Sequence, residues 1–139
     1  MNKQFLVSVV VLFIASMTFD FVVHAVLLKA DYAAQPALMR TEADAQRHFP
    51  AMLVAHALIA LGVTAIYRRG REAGKDWLGQ GVRFGLWFAV AAGIPGFLIY
   101  YAVQPTGLMV AVKQICFGTV ATVLLGLVAA AMNKETAAA

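Results

Sequence analysis

The amino-acid sequence predicts an all-α integral membrane protein, a four-helix bundle of transmembrane helices with both termini in the cytoplasm. Of its 139 residues, 62% are hydrophobic and only 13% are charged, about half the charged share of a water-soluble domain. The hydrophobic residues form four long runs, and a helix needs about 20 such residues to cross a bilayer. Basic residues gather at the ends of these runs, where they set the orientation of membrane helices.

The first predicted span covers residues 5–29. Its start resembles a secretory signal, because Lys3 precedes an apolar run. A signal has an apolar region of about 7–15 residues followed by a small-residue cleavage site. The run in this chain is longer and contains Asp20 and His24. We therefore expect a first span that is retained.

A polar connection leads from the first span to Pro50. In this connection, Thr41 is followed by two acidic residues, and a hydroxyl cap with acids in the next turn is typical of a helix N-terminus. The sequence predicts a short surface helix over residues 41–48. The second span then covers residues 51–67 and ends at a basic cluster.

The third span covers residues 81–103, and the fourth covers residues 108–132. Residues 104–107, a polar segment with proline and glycine, predict a tight turn between them. Pro95 predicts a kink in the third span, because proline removes one helical hydrogen bond and clashes with the preceding turn.

The distribution of lysine and arginine predicts the orientation, because cytoplasmic loops hold an excess of these residues. One side of the predicted bundle carries Lys3, Arg68, Arg69, Arg71, Lys75, Arg83 and Lys134, and the other carries Lys29, Arg40 and Arg47. Both termini are therefore expected inside a plasma membrane, which is the inner membrane in a bacterium. This placement of the basic residues also argues against a nucleic-acid partner, which would need them on one polar face.

Small residues recur at every fourth position in the last two spans. They are Gly81, Gly85, Ala89 and Gly93 in the third span and Gly118, Thr122 and Gly126 in the fourth. Each set forms one smooth stripe on its helix, and such stripes let membrane helices approach closely. We expect the two stripes to face each other. The alternative is a contact with a second copy or with a larger membrane complex.

Three ionisable residues lie inside the predicted spans, namely Asp20, His24 and His56. Ionisable groups at such positions cost about 2.5–3.5 kcal/mol on insertion scales and usually mark a site in the bundle interior. Asp20 and His24 are four residues apart and share one helix face. At a rise of about 1.5 Å per residue, the two histidines lie equally deep. The same outer layer of the bundle is expected to contain Tyr100, Tyr101, Lys113 and Gln114.

Several interpretations of this polar layer remain open. It binds a small ligand or ion for transport or sensing, or it holds b-type haem through His24 and His56 or a divalent metal through His24, His56 and Asp20. Alternatively, it fixes packing through a pair between Asp20 and Lys113. An accessory subunit of a larger complex is a further alternative. An enzyme is disfavoured, because no nucleophile elbow, phosphate loop or paired metal-binding motif occurs. Lone Cys116 indicates no thiol chemistry.

Overall fold

Helices account for nearly all of the chain in the computed structural model, which describes residues 2–134. The helices in chain order are α1 (Lys3–Asp20), a first π-helical segment (Phe21–Leu27), α2 (Lys29–Ala33), a 3-10 turn (Pro36–Leu38), α3 (Glu42–Gly70), α4 (Trp77–Phe88), a second π-helical segment (Ala89–Gly93), α5 (Ile94–Val103) and α6 (Leu108–Asn133). No β-strand occurs within residues 2–134. The predicted all-α class is confirmed.

Four continuous helical runs are long and apolar enough to cross a membrane. We call them the first to fourth long helices, and they are Lys3–Leu27, Glu42–Gly70, Trp77–Val103 and Leu108–Asn133. The fourth packs against the other three, and the first packs against the second. One end of the bundle carries the connections 28–41 and 104–107, which meet where the Gly107 amide donates to Gln35 Oε1 at 3.2 Å. We call this end of the bundle the Gln35 end.

The second long helix differs from the sequence prediction, because the segment over 41–48 is its first part and not a separate helix. Thr41 does cap it, since its hydroxyl accepts a hydrogen bond from the Asp44 amide. The helix then continues through Pro50. Proline removes one hydrogen bond to the carbonyl four residues earlier, that of Gln46. Both residues are exposed, so water can satisfy this carbonyl and the helix is not forced to end.

The first long helix also departs from the prediction at its end. Its last seven residues are π-helical, and the backbone leaves the helix at Leu28, with φ −98° and ψ 4°. The short helix α2 follows this break and carries Asp31 and Tyr32. A span continuing to Lys29 had been predicted. The break brings α2 side chains back toward the end of the first long helix.

The closest helix contact joins the third and fourth long helices through small residues. A Cβ placed on Gly85 would lie 2.5 Å from Val123 Cα and 2.6 Å from Thr122 O. A Cβ on Gly81 would lie 3.0 Å from Ala130 Cβ, and one on Gly126 would collide with the Gly81 carbonyl. These backbones approach so closely because no side chain separates them.

The predicted small-residue stripes do not stay in contact toward the Gln35 end. Ala89 is buried, but a Cβ on Gly93 would meet nothing within 4 Å. Gly118 on the fourth long helix faces the ring of Phe97, which a Cβ there would approach to 2.8 Å. The second π-helical segment ends just before Pro95. Proline and the wider π turn both interrupt the regular hydrogen-bond ladder at the place where the sequence predicts a kink.

A first prediction concerns the glycine contact. Gly85→Ala should lower the free energy of unfolding by about 1–3 kcal/mol, because the added methyl group meets backbone atoms that cannot move aside. Unfolding in mixed detergent micelles measures this. Gly96→Ala is the matched control in the same long helix, where a Cβ meets nothing within 4 Å. Equal stabilities of the two variants would contradict the importance of the contact.

Candidate functional site

A cavity of about 280 Å³ lies between the four long helices, toward the Gln35 end. Its wall is mostly apolar and includes rings from Phe19, Phe88 and Phe97. Both π-helical segments contribute to it, the first through Val23 and His24 and the second through Ala92 and Gly93. π-Helical turns are uncommon and are frequent at functional sites. We call this space the central cavity.

The central cavity contains a short chain of polar side chains that joins the first and second long helices. His56 is nearly completely buried, and its Nδ1 lies 3.0 Å from the Ser16 hydroxyl. Its Nε2 lies 3.3 Å from Asp20 Oδ2. The Asp20 side chain is 51% exposed, so the carboxylate stands at an opening of the cavity. Asp20 and Ser16 are four residues apart and therefore share a helix face.

His24 takes part in a second polar chain, which leads away from the central cavity. Its Nδ1 lies 2.6 Å from the Tyr32 hydroxyl, and the two rings stack at 5.9 Å. Gln114 Nε2 donates to the same hydroxyl at 3.1 Å. Because the tyrosine oxygen accepts from Gln114, its own hydrogen is available for His24 Nδ1. The break at Leu28 makes this arrangement possible, since it turns Tyr32 toward His24.

The Tyr32 hydroxyl is held in its protonated form. Burial raises the pKa of Tyr32 above its ordinary value, because the phenolate is less well solvated there. The Gln114 hydrogen bond opposes this effect, and the charges of Asp20 and Asp31 add to it. A tyrosine with a raised pKa stays neutral well above physiological pH. It therefore remains a hydrogen-bond donor to His24 under ordinary conditions.

A second cavity of about 240 Å³ adjoins the Gln35 end. Polar side chains from both connections line it, including Gln35, Gln104 and Thr106, together with Tyr32. His24 lines this second cavity and also the central cavity. The imidazole of His24 is therefore a shared wall between the two spaces.

One interpretation of the sequence predicted an ion pair between Lys113 and Asp20, and the structure does not contain this pair. The Lys113 ammonium lies 2.7 Å from Asp31 Oδ1 in α2. Lys113 lies near the start of the fourth long helix. A lysine at such a position extends its long side chain so that the ammonium group lies toward that end of the helix. The Asp20 carboxylate therefore contacts His56 and not Lys113.

The structure brings together some of the predicted site residues and leaves others apart. Asp20, His24 and His56 line the central cavity, and Gln114 lines the second cavity. Tyr100 and Tyr101 lie on the outer surface, where they are 58% and 39% exposed, and line neither cavity.

The predicted metal ligands do not form a metal site. Among residues 2–134, no three His, Cys, Asp or Glu side chains lie close enough together to hold a metal ion. The haem hypothesis meets a related difficulty, because both ring nitrogens of His56 have partners inside the protein. Binding of iron requires a free imidazole nitrogen. The donor set therefore fits neither group without rearrangement.

Tyr32 is the main residue of this site that sequence reasoning missed. It lies in the polar connection, eight residues after His24, and helical periodicity does not carry across the break at Leu28. Phe97 was likewise not singled out, although a phenylalanine opposite a glycine is a recognisable pair once the helices are aligned. No family model, curated protein or solved structure matches the chain.

A second prediction tests the polar chain at the Gln35 end. Tyr32→Phe should lower the free energy of unfolding by about 0.5–1.5 kcal/mol, because it removes the hydroxyl that both His24 and Gln114 use. Unfolding in mixed micelles measures the stability, and nitrogen NMR of His24 reports loss of the hydrogen bond at Nδ1. Tyr100→Phe is the control, since that side chain is exposed. The same loss in both variants would contradict a specific role for Tyr32.

Proposed function

We propose that this chain is a multi-pass protein of the inner (plasma) membrane that binds a small ligand in its central cavity, for transport or sensing. In this proposal the four long helices cross the bilayer, the termini lie in the cytoplasm and the Gln35 end faces outward. The ligand has an apolar body and one polar group, which contacts Asp20 and His56.

Membrane insertion is supported by what the four long helices present to their surroundings. Each has large apolar side chains on the outside, for example Ile14, Leu58, Trp87 and Leu108, which are between 58% and 67% exposed. Contiguous exposed apolar surface of this extent is rare on a soluble monomer. Lipid tails accept such a surface without cost.

The outward placement of the Gln35 end rests on the distribution of basic residues. The opposite end, which carries Asn2 and Lys134, includes Arg68, Arg69, Arg71, Lys75 and Arg83. The Gln35 end has fewer basic residues, and one of them, Lys113, is paired with Asp31. An excess of lysine and arginine is typical of the cytoplasmic side.

The observation that carries the binding proposal is the polar chain of Ser16, His56 and Asp20 in a mostly apolar cavity. Ionisable groups inside a bilayer cost about 2.5–3.5 kcal/mol each, so they mark functional positions. A hydrophobic pocket with a few convergent polar groups is the usual form of a small-molecule site. We expect a pair with only a structural role to be buried by neighbouring side chains, whereas half of the Asp20 side chain is exposed.

Filling the cavity tests this proposal. In lipid nanodiscs, fluorine NMR with saturation transfer measures the binding of 4-fluorobenzyl alcohol, an apolar ring with one hydroxyl group. Ala121→Phe should abolish binding, because Ala121 lines the central cavity and a phenyl ring occupies the space. Val120→Phe is the matched control on the outer surface, where Val120 is 58% exposed. Equal signals from the two variants, or none from the unchanged protein, would overturn the proposal.

Cysteine labelling in intact cells tests the orientation. In a Cys116→Ala background, Thr106→Cys should react with a membrane-impermeant maleimide, and Ala73→Cys should react only after the cells are opened. Thr106 lies in the connection at the Gln35 end and Ala73 in the connection between the second and third long helices. The reverse pattern of labelling would place the termini outside.

A further inference from the structure

The hydrogen bonds of Ser16 determine which ring nitrogen of His56 carries a hydrogen. The Ser16 hydroxyl donates its only hydrogen to the Phe13 carbonyl, at 3.0 Å. It must therefore act as acceptor toward His56 Nδ1, 3.0 Å away. A hydroxyl has one donor and two acceptor positions, so this arrangement is complete. It follows that His56 Nδ1 carries a hydrogen.

This assignment requires a proton between His56 and Asp20. A neutral imidazole with its hydrogen on Nδ1 presents a lone pair at Nε2, and an ionised carboxylate presents only lone pairs. Two acceptors would then face each other across 3.3 Å. The contact is favourable only when the pair holds one more proton, either on Nε2 or on the carboxyl group. In both forms the net charge of the pair is zero.

No other charged group in the cavity can compensate for the loss of this proton. The first long helix adds only His24, four residues from Asp20, and the second adds no titratable group besides His56. The cavity-lining residues of the third and fourth long helices include no titratable side chain. Tyr32, in α2, is neutral, and the charge of Asp20 is one of the causes that raise its pKa. Lys113 is already paired with Asp31.

Removal of the shared proton leaves one negative charge in an apolar cavity, a state that a positive charge on a ligand would stabilise. The walls suit such a ligand, because Phe19, Phe88 and Phe97 present aromatic rings to the cavity. Aromatic faces attract organic cations through their quadrupole, most strongly where water is excluded. The opening at Asp20 gives the cation access to the carboxylate.

We propose that the central cavity binds a lipophilic cation, an amine with an apolar body, in exchange for the proton that Asp20 and His56 share. This rests on the proposed function, since it names the ligand class of the same cavity. One proton leaves for each monovalent cation that enters, so the charge of the cavity stays at zero. Cation binding therefore strengthens as the pH rises, over the pH range in which Asp20 and His56 share the proton in the empty protein.

A matched pair of ligands tests this exchange in nanodiscs. Benzyltrimethylammonium carries a permanent charge and no acidic proton, and neopentylbenzene has the same shape without the charge. Displacement of 4-fluorobenzyl alcohol measures the binding of each. Calorimetry in two buffers of different ionisation enthalpy counts the protons released. We expect release of one proton per cation, and an apparent Kd that falls about tenfold for each pH unit gained.

Two variants separate the carboxylate from its surroundings. Asp20→Asn should lose binding of benzyltrimethylammonium by at least about tenfold, because it removes the negative charge, and should keep binding of neopentylbenzene. Retained binding of the neutral ligand also shows that the variant is folded. Glu72→Gln, which changes a carboxylate that pairs with Arg83 and lines no part of the central cavity, should keep both the cation affinity and the proton release.

The outcomes distinguish this inference from the proposed function. Binding of neopentylbenzene without binding of the cation overturns proton exchange and leaves a cavity for neutral ligands. Cation binding without proton release, or with full affinity in Asp20→Asn, also overturns the exchange. Failure of all three ligands to bind overturns the binding function itself.

Discussion

Polar groups inside this apolar bundle must find their partners within the protein, and much of the structure follows from that constraint. Within residues 2–134, no buried side-chain nitrogen or oxygen lacks a hydrogen-bond partner. Ser16 satisfies Phe13 O and His56, and His56 in turn meets Asp20. An unsatisfied group would cost about 1–3 kcal/mol. The first and second long helices are therefore held in one register at the level of His56.

The glycine contact between the third and fourth long helices explains why the cavity lies where it does. At Gly81 and Gly85 the two backbones touch, and no space remains between them. Beyond Ala89 the π-helical turn changes which residues face the fourth long helix, and Gly93 meets nothing. The ring of Phe97 then closes the gap against Gly118. Space is thus enclosed between a tight contact on one side and an aromatic ring on the other.

The sequence predicted the features that depend on composition and regular periodicity. The four apolar helices, the cap at Thr41 and the ionisable residues that line the central cavity follow from such patterns. Prediction from the sequence failed where the effect of a single residue depends on its surroundings in the fold. Pro50 does not end its helix, because Gln46, whose carbonyl loses its hydrogen bond, is exposed. Lys113 reaches Asp31 because the chain leaves the first long helix at Leu28. Neither outcome is visible in periodicity, since the first depends on the exposure of a residue four positions earlier and the second on where the chain turns after Leu28.

The position of His24 bears on how a proton could leave the central cavity in the proposed exchange. A proton leaving the Asp20–His56 pair would meet His24 nearby, since His24 lies one helical turn from Asp20 on the same face. With Tyr32 donating to its Nδ1, a neutral His24 carries its hydrogen on Nε2 and has no free lone pair for that proton. The same imidazole lines the second cavity, which polar side chains from both connections surround. We therefore expect the proton of the proposed exchange to leave at the opening beside Asp20, whose side chain is 51% exposed, rather than through His24.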